Sequence, residues 1–158
     1  MVACADVLKL APSADPSRVM TLDHDGPTDG YRYARFGKER AKIRKWLLRG
    51  GLDECALCGR KLPVGFIRVG HIKRRSLANS VVRRDFNNVM PVCTLGCDAL
   101  FELGFVIVDA TGAIQEGSPS PTPDLSTFIK GIVGRDCKSF RPESARYFEA
   151  HRQRFSNE

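Results

Sequence analysis

The chain has 158 residues, 42% of them hydrophobic, and a formal charge of +7. That length suits one domain with short extensions, and a core of that size gains from a cross-link or a metal. No apolar run approaches a membrane span, and the N-terminus lacks the basic start and long apolar stretch of a secretory signal, so the chain reads as cytoplasmic with no membrane partner. A basic surplus favours a polyanionic partner, most often nucleic acid, although charge alone does not separate that from plain solubility.

Residues 1–30 are punctuated by Pro12, Pro16, Gly26, Pro27 and Gly30 and read as irregular, apart from a short helix near CADVLKL. Asp23, His24 and Asp25 are metal-binding types, but beside GPTDG they read as a solvated turn. Residues 31–49 predict a helix. Tyr33, Phe36, Ile43 and Leu47 fall near one face with Trp46 beside them, cations fill the other face, and Gly50-Gly51 ends it. The stretch 32–49 holds eight Lys or Arg, Arg40 and Arg44 among them, against Glu39 alone. Six more cations lie between Arg68 and Arg84, including Lys73, Arg74, Arg75 and Arg83. Such clustering is the footprint of phosphate binding and makes DNA the expected partner.

Residues 53–62 read as a turn around CALCGRK, and FIRVGHI, rich in β-branched residues, as a strand. A basic loop, KRRSLANSVVRRDF, leads to a second short strand, NVMPV, in which Pro91 argues for an edge position or an irregular one. CDALFEL predicts a short helix stopped by Gly104, and GFVIVDATGAIQEG a hairpin with DATG as its turn. GSPSPTPD, 117–124, reads as a linker, with Asp124 capping a helix over LSTFIKGIV. Pro142 suits the first turn of a last helix that carries Phe148, His151 and Phe155 on one face. His24 and His151 read as surface or packing residues, and no internal repeat is present.

Of the six cysteines, Cys55 and Cys58 are separated by two residues and Cys93 and Cys97 by three, Gly96 easing the longer turn. Two close thiolate pairs each span one edge of a tetrahedron, so they predict one structural zinc per chain, closed to water because all four ligands come from protein. Cys4 and Cys137 have no near partner and read as small core residues.

Cys55-x2-Cys58, Gly70-His71-Ile72, Asn88 five residues before Cys93, and Cys97 opening a short helix together resemble the HNH nuclease family with a zinc knuckle pair. The resemblance covers residues 53–109. It implies an α+β fold: a zinc-stapled ββα-metal core over 51–116, flanked by a basic N-terminal extension, 1–50, and a helical C-terminal segment, 117–158. It implies His71 as general base, Asn88 (with Asn87 as the alternative) as the family asparagine, and Asp98 where relatives usually carry a metal-binding histidine. Glu102, one helical turn later, would be a further ligand. Relatives often have an acidic or histidine ligand just before the base, where this chain has Gly70.

The chemistry stands beside the resemblance. Phosphodiester hydrolysis needs a base for water and a cation for the charge that builds on phosphate. A histidine with an ordinary pKa near ~6.5 is largely neutral at pH 7 and can take the proton. Asn88 can fix the backbone around it by hydrogen bonds. Asp98 and Glu102, four apart on a helix, face one side and suit Mg²⁺ or Mn²⁺ more than a softer ion. The expected function is a metal-dependent DNA endonuclease, by analogy a restriction or phage-related one, and cutting of both strands would favour a homodimer. The alternatives are a catalytically inactive, zinc-stabilised DNA-binding module and a zinc adaptor for protein partners, which leaves the arginines without a role.

Overall fold

A strand that starts on buried Ile67 and runs half-buried to His71, and an almost wholly buried Val89–Cys93, make the central strand pair. The computed structural model describes residues 38–48 and 50–156, the side chains from Lys42 onward. The expectations for Cys4, the Asp23-His24-Asp25 turn, the helix face at Tyr33 and Phe36, and the side chain of Arg40 lie outside the described residues.

The elements run α1 (Lys38–Leu47), β1 (Leu52–Glu54), β2 (Lys61–Pro63), β3 (Ile67–His71), α2 (Ser80–Arg84), β4 (Val89–Cys93) and α3 (Cys97–Glu102). After these come β5 (Val106–Val108), β6 (Ile114–Glu116), α4 (Pro123–Lys130) and α5 (Pro142–Phe155). The class is α+β. Each of the three sheets has two antiparallel strands, β1 with β2, β3 with β4, and β5 with β6. In the middle sheet Ile67 lies opposite Cys93 and His71 opposite Val89, so the base candidate and a thiolate candidate sit at opposite ends of one ladder. Pro91, opposite Val69, is tolerated because the sheet has only edge strands, and its carbonyl accepts from Ala56 N–H at 2.8 Å.

Three local expectations change. The basic stretch 73–86 is not an open loop. It holds a short 3-10 turn at Arg75–Leu77, helix α2, whose N-cap Asn79 accepts from Val82 N–H, and a second 3-10 turn at Phe86–Asn88 capped by Asp85. All three are short, the last two are set by Asx caps, and turns this short leave no periodic apolar signal. The stretch 117–124 is not a free linker at its start. Gly117 and Ser118 donate to the carbonyls of Phe105 and Gly104, and a Cβ on Gly117 would lie 2.1 Å from Gly104 O. The cap of α4 is Thr122, whose hydroxyl accepts from Leu125 N–H, not Asp124. In the β5–β6 turn the Asp109 carboxylate accepts from Thr111, Gln115 and Ala113, which holds it well below the usual carboxylate range.

One core joins the sheets to the last helices. Ile67, Met90 and Val92 from the middle sheet pack in it with Phe101 of α3, Val106 and Ile114 of the hairpin, Ile129 of α4 and Phe148 of α5. His151 is part of this core. It stacks on Phe101 at 3.7 Å with an 8° interplanar angle and meets Phe155 edge-on. Its Nε2 donates to Phe101 O at 2.8 Å, while Nδ1 is buried with no hydrogen-bond partner.

Burial holds the His151 imidazole down, from an ordinary 6.5 to about 4, with Arg154 adding to the effect and the bond to Phe101 O opposing it. The unfolded chain therefore takes up a proton near 6.5 that the folded chain refuses until about 4. Stability contributed by the neutral ring is present above 6.5 and is lost as pH falls towards 4, by about 3 kcal/mol in all. Urea titrations of wild type and His151→Phe across that range, at fixed zinc, are expected to show a shallower pH dependence in the variant. Equal slopes would assign the acid sensitivity to other groups.

Candidate metal centre and nucleic-acid cleft

The turn between β1 and β2 presents Cys55 and Cys58, β4 ends on Cys93, and α3 begins on Cys97. All four are buried, and their sulfurs lie within 4.8 Å of one another. The Cys58 and Cys93 sulfurs are 3.9 Å apart, close to the ~3.8 Å edge of a tetrahedron with metal–sulfur bonds of ~2.3 Å. Local backbone explains the geometry. Gly59 N–H closes the first turn on Cys55 O at 2.9 Å, Cys93 N–H points at Cys55 Sγ at 3.3 Å, and Gly96, at φ 137°, lets the three-residue gap turn into α3.

The thiols act on one another. A hydrogen bond from Cys97 holds the Cys55 thiol down to about 5, and the same bond, with burial and the neighbouring sulfurs, pushes Cys97 up. Burial raises Cys58. Crowded sulfurs ionise together only where a cation offsets their charge, so this donor set fits a metal ion such as zinc. Cys137 is buried outside the group, and burial pushes its thiol up to about 11. Among the described residues the four cysteines are the one group of three or more His, Cys, Asp or Glu with ligand atoms that close together.

A cleft of about 590 Å³ runs between β3 and α3. His71, Asp98 and Glu102 all line it, with Arg68, Arg74 and Arg75 on its walls. Gly70 and Val92 form part of its floor, and a Cβ at position 70 would meet Val92 Cγ2 at 3.0 Å, so a ligating side chain there would crowd the strand pair. His71 Nε2 lies 3.3 Å from Arg83 O. A carbonyl only accepts, so this bond puts the ring proton on Nε2 and makes Nδ1 the basic nitrogen.

The two carboxylates do not form a ready-made cation cage with His71. Asp98 pairs with Arg68 at 3.8 Å, and Glu102 with Arg74 at 3.1 Å and Arg154 at 3.9 Å. Asp98 also sits in the first turn of α3, where the helix dipole favours an acid.

Asn88 is not among the residues lining the cleft. It is fully buried, its Oδ1 accepts from Lys73 N–H at 2.7 Å, and its Nδ2 donates to the carbonyls of Lys73 and Val82. Ile72 N–H donates to Asn88 O at 2.9 Å. The amide thus clamps the chain just after His71, whereas Asn87, half-buried, lines a separate groove. Of the other cations, Arg44 reaches the carbonyls of Val64 and Ile67 at 3.4 Å, Arg83 Nε donates to Arg75 O at 3.0 Å, and Arg84 Nε to Ser80 O at 3.0 Å.

Sequence reading missed three contributors. The Arg83 carbonyl carries no side-chain signal. Arg68 was visible only as one more cation. Asp85 accepts from Tyr147 Oη at 2.5 Å and from Arg146 at 3.0 Å, tying the connection before β4 to α5 across 62 residues. No family model matches the chain, and none of the curated proteins matches it.

Cys55→Ser and Cys93→Ser are each expected to lower bound zinc from about one per chain to a small fraction and to unfold the core. Elemental analysis and circular dichroism check this, and a folded, zinc-free wild type would end the metal reading. Asn88→Ala leaves buried backbone groups unpaired and is expected to cost about 2–4 kcal/mol, whereas Asn87→Ala is near neutral; denaturant midpoints compare the two.

Proposed function

We propose that the chain is a metal-dependent endonuclease of the HNH kind, hydrolysing phosphodiester bonds in DNA, with one structural zinc on Cys55, Cys58, Cys93 and Cys97. One observation carries the reading: His71, with its ring oriented by Arg83 O, opens into a single arginine-walled cleft with Asp98 and Glu102, in a strand–strand–helix succession flanked by the four sulfurs.

In this mechanism Arg68, Arg74 and Arg75 bind the phosphate and orient it. His71 Nδ1 takes a proton from the attacking water, while Asn88 holds the turn that fixes the ring. The Arg68–Asp98 and Arg74–Glu102 pairs are largely exposed and therefore weak, so phosphate can draw the arginines away from the carboxylates. Asp98 and Glu102 are then the groups that would hold Mg²⁺ or Mn²⁺ with waters and phosphate oxygens. Such an ion would supply Lewis-acid stabilisation of the charge on phosphate. Duplex cutting calls for two such sites, hence a homodimer.

The same ion pairs favour a second reading. If Arg68 and Arg74 stay on the carboxylates, the cleft binds phosphate without cutting it, and the chain is a zinc-stabilised DNA-binding module.

Plasmid nicking separates the two readings. His71→Ala is expected to lose about 10²–10⁴-fold in rate with DNA affinity kept. Asp98→Ala is expected to raise the Mg²⁺ requirement without loss of zinc, and Asp98→His to shift preference towards Ni²⁺ or Co²⁺. No nicking by wild type with any of these ions, together with salt-sensitive DNA binding, selects the binding module.

A further inference from the structure

The connection between β3 and β4 exposes apolar surface that the hydrolytic mechanism does not use. Leu77, Val81 and Phe86 are all exposed there. The Phe86 ring meets Trp46 of α1 with centroids 4.5 Å apart at 51°, and each ring is 40% exposed. Beside them runs an open groove of about 490 Å³ lined by Val81, Arg84, Asp85, Phe86 and Asn87.

The groove carries one acid and one cation, and the acid already has its ionic partner. Asp85 is already engaged, by Tyr147 and Arg146 on Oδ2 and by Asn87 N–H on Oδ1. Arg84 forms no ion pair among the described residues; its Nε donates to Ser80 O, and the residue is exposed. Asn87 lines the groove, and its amide has two donors and an acceptor to offer. An aromatic face, an amide and a cation whose neighbouring acid is already engaged match a nucleobase on its phosphate strand better than they match a peptide.

We propose that this groove binds an unpaired base of a nucleic-acid strand. The base stacks on Phe86 and Val81, Asn87 meets its hydrogen-bonding edge, and Arg84 meets the adjoining phosphate. Inside a duplex both faces of a base are covered by its stacked neighbours, so a base can lie against Phe86 only where it is unstacked, as in a single strand or an opened duplex. The inference rests on the reading that the partner is nucleic acid, and it narrows the substrate to single-stranded or locally opened strands. Helix α2 separates the groove from His71, since Arg83 O meets the imidazole while Arg84 lines the groove. A helix with side chains is ~10 Å across, so the bound base would sit about three stacked nucleotides from the cleft.

Trp46 is the chain's one tryptophan, so its emission reports on the Phe86 side of the groove. The experiment titrates the full, zinc-loaded chain with an oligothymidine and with a duplex of equal length, without added Mg²⁺ or Mn²⁺. The single strand is expected to quench Trp46 saturably and to bind about ten-fold more tightly than the duplex. Phe86→Leu is expected to weaken single-strand binding about ten-fold and, separately, Asn87→Ala several-fold, with duplex binding within two-fold of wild type. Zinc content and circular dichroism verify folding, and Asn87→Ala keeps the test open if Phe86→Leu folds poorly. Equal affinity for both strands, equal losses on both, or displacement of the oligonucleotide by an acidic peptide would overturn the base site. A chain that never nicks plasmid but shows the Trp46 response loses the nuclease reading and keeps the base site. A chain that nicks but ignores both substitutions does the reverse.

Discussion

The convergence of four sulfurs from two distant segments is the constraint on which the other elements depend. Each of the three sheets has only two strands, and an isolated two-stranded sheet is marginal in water. Helices α2 and α3 have five and six residues, far below the length that holds a helix alone. The sulfurs bring the β1–β2 turn together with the end of β4 and the start of α3, where one metal ion could hold them. Backbone bonds extend the tie: Ala56 N–H to Pro91 O, Lys138 N–H to Ala56 O, and Arg135 to Cys58 O at 2.9 Å. The β3–β4 ladder then carries the constraint from Cys93 at one end to His71 at the other.

Around the cleft, rigidity and exchangeability are divided between two kinds of polar contact. Asn79, Asp85 and Asn88 satisfy backbone groups of the β3–β4 connection, and Asn88 does so in full burial, where a broken bond costs most. Arg68, Arg74, Asp98 and Glu102 form ion pairs in partial solvent, where pairing is weak and partners exchange easily. The proposed function would need both: a fixed imidazole and cations able to change partner.

The legible parts of the chain were those with a period or a spacing. Cysteine spacing pointed to the metal group. The β-branched run FIRVGHI became β3, CDALFEL became α3 over Cys97–Glu102, and Pro142 opened α5. The connection between the strands was hidden because its order comes from Asx caps and short turns. The start of 117–124 looked like a linker because Pro and Ser suggest freedom, whereas Gly117 is needed there for a close backbone approach to Gly104. His151 read as surface or packing; only the packing of α5 on α3 puts it in a stack with Phe101.

By itself the sequence determined which residues could do chemistry: four thiols at ligand spacing, one histidine at the end of a strand, two carboxylates a helical turn apart, and a surplus of arginine. Those properties are local, written in residue type and short spacing. The tertiary structure decided what each side chain faces. It turned Asn88 inward to clamp the chain after His71, set Arg68 and Arg74 on the two carboxylates, and supplied the Arg83 carbonyl to the imidazole. Partners of this kind come from residues up to 30 positions apart, and only the packing of β3, α2 and α3 around one core brings them within hydrogen-bonding range.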